Sequence, residues 1–152
     1  MPHSRWRIFS TDWMQHRKSE IRSRARALQA LYAWDLRDGQ PLERVAERLW
    51  DDLRVAPTER ARAGKIVNTV VQNGAEIDAT LREITTNWRL ERLGVIERSV
   101  LRLAAAELMG GETPPRVVIQ EAVKLAERFG SPQSAKFVNG VIDALARKMG
   151  RL

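Results

Sequence analysis

The chain has 152 residues, enough for one domain with a core of its own, and carries 26 Lys and Arg against 19 Asp and Glu, a formal net charge of +7. It has no cysteine, which excludes disulfides, thiolate metal sites and a cysteine nucleophile; with only His3 and His16 to offer imidazole, neither a metal centre nor a cofactor is expected. The charge is uneven: residues 1–26 hold seven basic and two acidic groups, a surplus that suits a polyanionic partner at this end, whether nucleic-acid phosphates or an acidic membrane surface.

Residues 1–18, MPHSRWRIFSTDWMQHRK, show neither helical nor strand periodicity, and no apolar run long enough for a secretory signal or a membrane span. They read as a flexible basic extension ahead of a single domain over residues 19–152, in a cytoplasmic protein. Ser19 suits the N-cap of a first helix, in which Ile21, Ala25, Leu28 and Tyr32 form an apolar stripe ending near Asp38-Gly39. Pro41 opens a second helix through Val45, Leu49 and Leu53. Pro57 and Thr58 open a long third one, with Ala63, Ile66, Val67, Val70, Val71, Gly74, Ile77, Leu81 and Ile84 on one face. After a break at TTNW, Leu90, Leu93, Ile96, Val100, Leu103, Ala104 and Leu108 mark a fourth segment, stopped by Gly110-Gly111. Pro114-Pro115 introduce a fifth helix, closed by Gly130 as a left-handed C-cap. Ser131-Pro132 start a sixth, whose inner face is Val138, Val141, Ile142, Leu145 and Met149. With no hairpin signal and no fixed repeat, the chain reads as an all-α compact bundle of six to seven helices joined by short connections.

Enzyme signatures are missing: there is no glycine-rich phosphate loop, no metal-ligand spacing, and no nucleophile with a histidine in the folded part, so no catalytic residue is assigned. Two binding features remain. In RKSEIRSRAR the helical period sets Arg22 and Arg26 on one flank of the apolar stripe and Arg24 on the other, neither of them core. Cations at a helix start oppose the helix dipole, so their presence there points to function, and arginine-rich segments recur in RNA recognition. In RFGSPQSAKFVNG, Phe137 lies about 120° from the centre of the inner face, beside Gln133, Lys136 and Gly140. It is either a platform for a stacked base or part of a second helix-packing seam, and Phe129 has the same two readings. Arg98 and Arg102, with Glu97 and Glu107 nearby, suggest an ion-pair network, and Trp34 and Trp88 suggest core or seam positions.

Three stretches, the basic segment running into ALQALYAWDL, the central NWRLERLGVIERSVLRLAAAEL, and VVIQEAVKLAERFGSPQSAKFVNGVIDALAR, resemble the NusB transcription antitermination family over residues 19–148. The resemblance implies a pair of packed helical subdomains. It also implies binding to the boxA RNA of ribosomal RNA leader transcripts, together with the small-subunit ribosomal protein NusE, in an RNA polymerase antitermination complex. It puts the RNA segment on Lys18, Arg22 and Arg24, with Arg26 an added basic residue. It puts an RNA-facing block on Phe129, Gln133, Ser134, Lys136 and Phe137, and sets Tyr32 and Glu97 near the partner-protein and RNA surfaces. The chain departs from the family pattern at Glu20 and Ile21, where many relatives continue the arginine run, and at Gln133, where an acid is often found. A neutral amide there removes a repulsion toward phosphate. Two other readings are a protein-only helical adaptor, with a homodimer as one form, and the RNA-guiding module of a ribosomal RNA methyltransferase, which requires a cofactor-binding α/β domain that these residues do not contain.

Overall fold

The computed structural model describes residues 2–152 apart from 38, 87 and 88, with side chains from Arg17 onward. Among the described residues six α-helices follow one another: α1 (Pro2–Asp35), α2 (Leu42–Asp52), α3 (Pro57–Ile84), α4 (Val95–Gly110), α5 (Pro115–Phe129) and α6 (Pro132–Lys148), with a short 3-10 helix (Leu90–Arg92) before α4. No strand occurs among the described residues. Residues 2–18, expected to show no helical periodicity, form the first half of α1, with their side chains before Arg17 outside the described residues, as is Trp88.

Local chemistry explains most of the boundaries. Proline occupies the first turn of α3, α5 and α6, where its missing N–H costs nothing. Ser131 caps α6, its hydroxyl accepting from the Ser134 N–H at 3.1 Å. Gly111 ends α4 in the left-handed region at φ 73°, its N–H donating to the Glu107 carbonyl at 3.3 Å. Gly130 is no left-handed cap, contrary to expectation: its φ is −114°. A Cβ there would lie 2.8 Å from the Ala126 carbonyl oxygen and 3.0 Å from Ser134 Oγ, so close approach is what requires glycine.

The first helix departs furthest from its sequence pattern. It passes through Ser19, whose carbonyl accepts from the Ser23 hydroxyl at 2.7 Å, so Ser19 is not a cap and the arginines lie within a helix rather than at its first turn. The opposition to the dipole therefore falls away. The buried apolar residues are Ala27, Leu28, Ala30 and Leu31, whereas Tyr32 is 39% exposed. A stripe drawn through the larger apolar residues misses the alanines, whose small side chains suit a helix covered at once by α2, α3 and α4. α2 is fastened to α1 by the Trp50 indole, which donates to the Arg26 carbonyl at 3.2 Å. α3 bends at Asn73, where φ is −122° and the side-chain amide donates to the Thr69 carbonyl at 3.0 Å; Val71, expected on the buried face, is exposed beside that bend.

α4 is the axis of the molecule, packed against α1, α3, α5 and α6. It buries Ser99, Val100, Leu101, Leu103, Ala104, Ala105, Ala106 and Leu108, apolar on nearly all sides as a central helix must be. One continuous core joins α1–α3 to α4–α6. α1 and α4 run antiparallel and are clamped twice. Arg24 Nε lies 2.9 Å from Glu107 Oε1, and eleven residues along α1 Asp35 Oδ2 lies 2.7 Å from Arg98 Nε. Arg102 extends the second clamp to Asp78 on α3 at 2.9 Å, its guanidinium 5.3 Å from the Trp34 ring centre. The expected arginine network thus exists, but its acids are Asp35 and Asp78 rather than Glu97 and Glu107, because α1 and α3 supply them.

Candidate RNA interface

The basic part of α1 divides into an open and a closed set. Lys18 is exposed, and the Arg22 side chain is 55% exposed, its Nε 3.1 Å from Glu59 Oε1 in the first turn of α3. Arg26 approaches the other oxygen of the same carboxylate at 3.6 Å and donates to the Gln29 amide oxygen at 3.2 Å. One acid set between two arginines leaves a cationic surplus facing solvent. Arg24 is different. Only 6% exposed, it points into the bundle and spends its Nε on both oxygens of Glu107, so the open flank expected for it does not exist. The cause is the rotation of α1: with Ala27, Ala30 and Leu31 inward, position 24 falls on the same face. Burial raises the Glu107 carboxyl above its ordinary range, and Arg24 works against that rise.

The C-terminal block gathers where α4 begins, α5 ends and α6 begins. The Ser134 hydroxyl donates to Glu97 Oε1, joining the first turns of α6 and α4. The other oxygen of Glu97 lies over Gly94, where a Cβ would overlap Oε2. Gly94 and Glu97 stand at the N-cap and N3 positions of α4, the spacing at which an acid folds back over a helix start. The loop before Gly94 is held by Arg98, one nitrogen of which donates to the Leu93 carbonyl at 2.9 Å and the Leu90 carbonyl at 3.3 Å. Gln133 and Lys136 are exposed around this cluster. Phe129 is 39% exposed, with the Arg128 guanidinium 5.0 Å from its ring centre. Phe137 is half-buried against the core, showing part of its ring. Gly140 is exposed with open space where a Cβ would stand, so the packing suggested for the pair holds for Phe137 in part and leaves Gly140 out.

Glu97 and Ser134 are therefore brought into contact, with the exposed Phe129, Gln133 and Lys136 on the adjoining turns. The arginines of α1 lie at the other end of α4, level with Glu107. Ten residues along the helix axis make that separation about 15 Å. Tyr32 is free at the surface of α1 rather than in the core. Gly94 and Arg98 escaped the sequence reading as parts of the site, although G-V-I-E carries the spacing that would have marked the former. Among the described residues no group of His, Asp and Glu could hold a metal ion, and no helix is long and apolar enough to cross a membrane.

Comparison with known proteins gives one family. Residues 21–147 match the model of the NusB family. A transcription antitermination protein NusB from Sorangium cellulosum (strain So ce56) is 43% identical over 130 residues, covering 85% of this chain and 92% of that protein. Its counterpart from Solibacter usitatus (strain Ellin6076) is 39% identical over 133 residues, 86% of this chain and 90% of that one. Among solved structures, T. maritima NusB superimposes with a TM-score of 0.79 at 32% identity, over 85% of this chain and 91% of that one. The structure of antitermination factors NusB and NusE in complex with dsRNA superimposes with a TM-score of 0.78 at 29% identity, over 86% and 98%.

Proposed function

The chain belongs to the NusB family, and from that premise we propose that it is a transcription antitermination protein that binds boxA-type RNA of ribosomal RNA leader transcripts together with NusE, within an RNA polymerase complex. It works by binding, not by catalysis, in the cytoplasm where transcripts emerge. Residues 19–152 act as one domain, and residues 1–18 as a basic arm. Lys18, Arg22 and Arg26 attract the phosphates, the sequence-independent part of the affinity. At the other end the exposed face of Phe129 offers a surface for a base, with Lys136 and Gln133 supplying a cation and an amide beside it. The Glu97–Ser134 contact fixes the first turn of α6 against α4 and so sets the direction of those side chains. Tyr32, exposed on α1, is offered to the protein partner.

The observation that carries this reading is the joining of Glu97 to Ser134 beside Phe129, Gln133 and Lys136. These residues come from three helices, and the resemblance had named all of them. The test is fluorescence anisotropy with boxA-like and scrambled single-stranded RNA, with and without NusE. Tighter binding of the boxA sequence, tightened further by NusE, is the expected result. Absence of salt-dependent binding to either RNA would leave a protein-only adaptor.

A further inference from the structure

Beyond the two patches lies a cleft of about 560 Å3 between α1, α3 and α4, lined on the α1 side by Glu20, Ser23 and Arg24, the neighbours in sequence of the exposed Arg22. Its floor is the Arg24–Glu107 pair, and Ile66 and Ala106 give it apolar wall. Lys65 and Glu112, 4.0 Å apart and both well exposed, stand at the rim, and the exposed Asn68 also lines the cleft. The charge of this lining is decisive. Arg24, Arg62 and Lys65 are matched by Glu20, Glu107 and Glu112, so formally the cleft is neutral although it adjoins the most basic stretch of the chain.

A neutral cleft with three carboxylates has no attraction for phosphate, which needs a cationic surplus. What suits it is an uncharged group with mixed donors and acceptors on one edge and flat apolar faces, and single-stranded RNA presents that group whenever a base is splayed out of its stack. Resting on the reading of the chain as a single-stranded-RNA binder, we infer that this cleft takes one nucleobase from the strand whose phosphates run over Lys18 and Arg22. Guanine uses the lining most fully. Its O6 and N7 acceptors meet the Lys65 ammonium, its N1–H and N2–H donors meet the Glu112 carboxylate, and the Asn68 amide, donor and acceptor together, serves either edge. The volume falls within the range of ordinary ligand pockets and leaves room for the ring to lie against Ile66.

The experiment is an abasic scan. A boxA-like RNA is altered one nucleotide at a time to the abasic form, and its affinity is measured for the wild-type chain and for Asn68→Ala/Glu112→Gln, both exposed positions that leave the core untouched. The wild type should lose about tenfold at one purine position beyond the loss at its neighbours. In the variant that extra loss should shrink below about twofold, with a salt slope no flatter than that of the wild type, because no phosphate contact is removed and Glu112→Gln leaves the Lys65 charge unmatched. An identical scan in both proteins, or a flattened salt slope in the variant, would overturn the inference while leaving the RNA-binding reading intact. Failure of the wild type to bind the RNA at all would overturn both.

Discussion

Arg24 on α1 and Glu107 on α4 hold each other through one nitrogen and two oxygens, at 2.9 and 3.1 Å, with each side chain only 8% exposed. Removing one member of such a pair strands the other charge in the bundle. Arg24→Ala should therefore lower folding stability by about 3–5 kcal/mol, whereas Arg24→Met/Glu107→Leu, apolar and of similar volume, should be neutral or better. Urea midpoints of the three proteins check it, and a mild Arg24→Ala would show that the pair carries little.

The same pair makes stability depend on pH. Burial, the larger influence, raises the Glu107 carboxyl, and Arg24 only partly opposes it. A carboxyl raised in the folded state holds its proton there more tightly than in the unfolded chain. Stability should thus fall as pH rises from the ordinary glutamate range through the raised value, and return on acidification. Comparing the wild type with Arg24→Met/Glu107→Leu from about pH 4 to 7 isolates the contribution, since only the former contains the group.

The exposed cations should behave otherwise. Lys18→Ala/Arg22→Ala removes two candidate phosphate contacts and leaves the core alone. The slope of log affinity against log salt for single-stranded RNA should fall by about 1.4, taking roughly 0.7 per contact, with the urea midpoint nearly unchanged. An unaltered slope would remove these two residues from the interface.

The two phenylalanines should separate by function. Phe129→Ala, at an exposed ring, should weaken RNA binding by roughly 1–3 kcal/mol with little loss of stability. Phe137→Ala should lose stability as well as affinity, because part of its ring packs on the core. Paired urea and RNA titrations on each variant decide whether the open ring or the half-buried one carries the stacking.

Gly94→Ala should push the Glu97 carboxylate off the helix start and away from Ser134. The expected outcome is a loss of RNA or NusE affinity larger than that of Ser134→Ala, with the helix content of the circular dichroism spectrum retained. Equal, negligible effects would mean that the contact positions nothing.

Much of this was legible in the sequence, and the misses share a cause. Prolines at residues 57, 115 and 132 mark helix starts because proline's restriction is local. The inner face of α6 was read correctly at Val138, Val141, Ile142 and Leu145 because large apolar residues dominate it. On α1 the buried side is made of Ala27, Ala30 and Leu31 and includes an arginine, so a count of bulky residues turned the wheel too far and put Tyr32 inside. The acids that meet Arg24, Arg98 and Arg102 lie between 24 and 83 residues away in sequence, a distance at which periodicity is silent. Within the candidate site, residue types and spacing named the members, but only the packed helices could distinguish an arginine that faces solvent from one already engaged.

The double clamp between α1 and α4 also has a metrical consequence. Because Arg24–Glu107 and Asp35–Arg98 fix the two helices at both ends, the cationic patch and the Glu97–Ser134 block are the two feet of a rigid caliper rather than independent anchors. A strand too short to reach from one foot to the other engages only one. Once it is long enough, the second contact becomes intramolecular and its effective concentration jumps. Affinity should then climb with RNA length as a step, and inserting a single nucleotide between the two contacted segments should throw the second out of register.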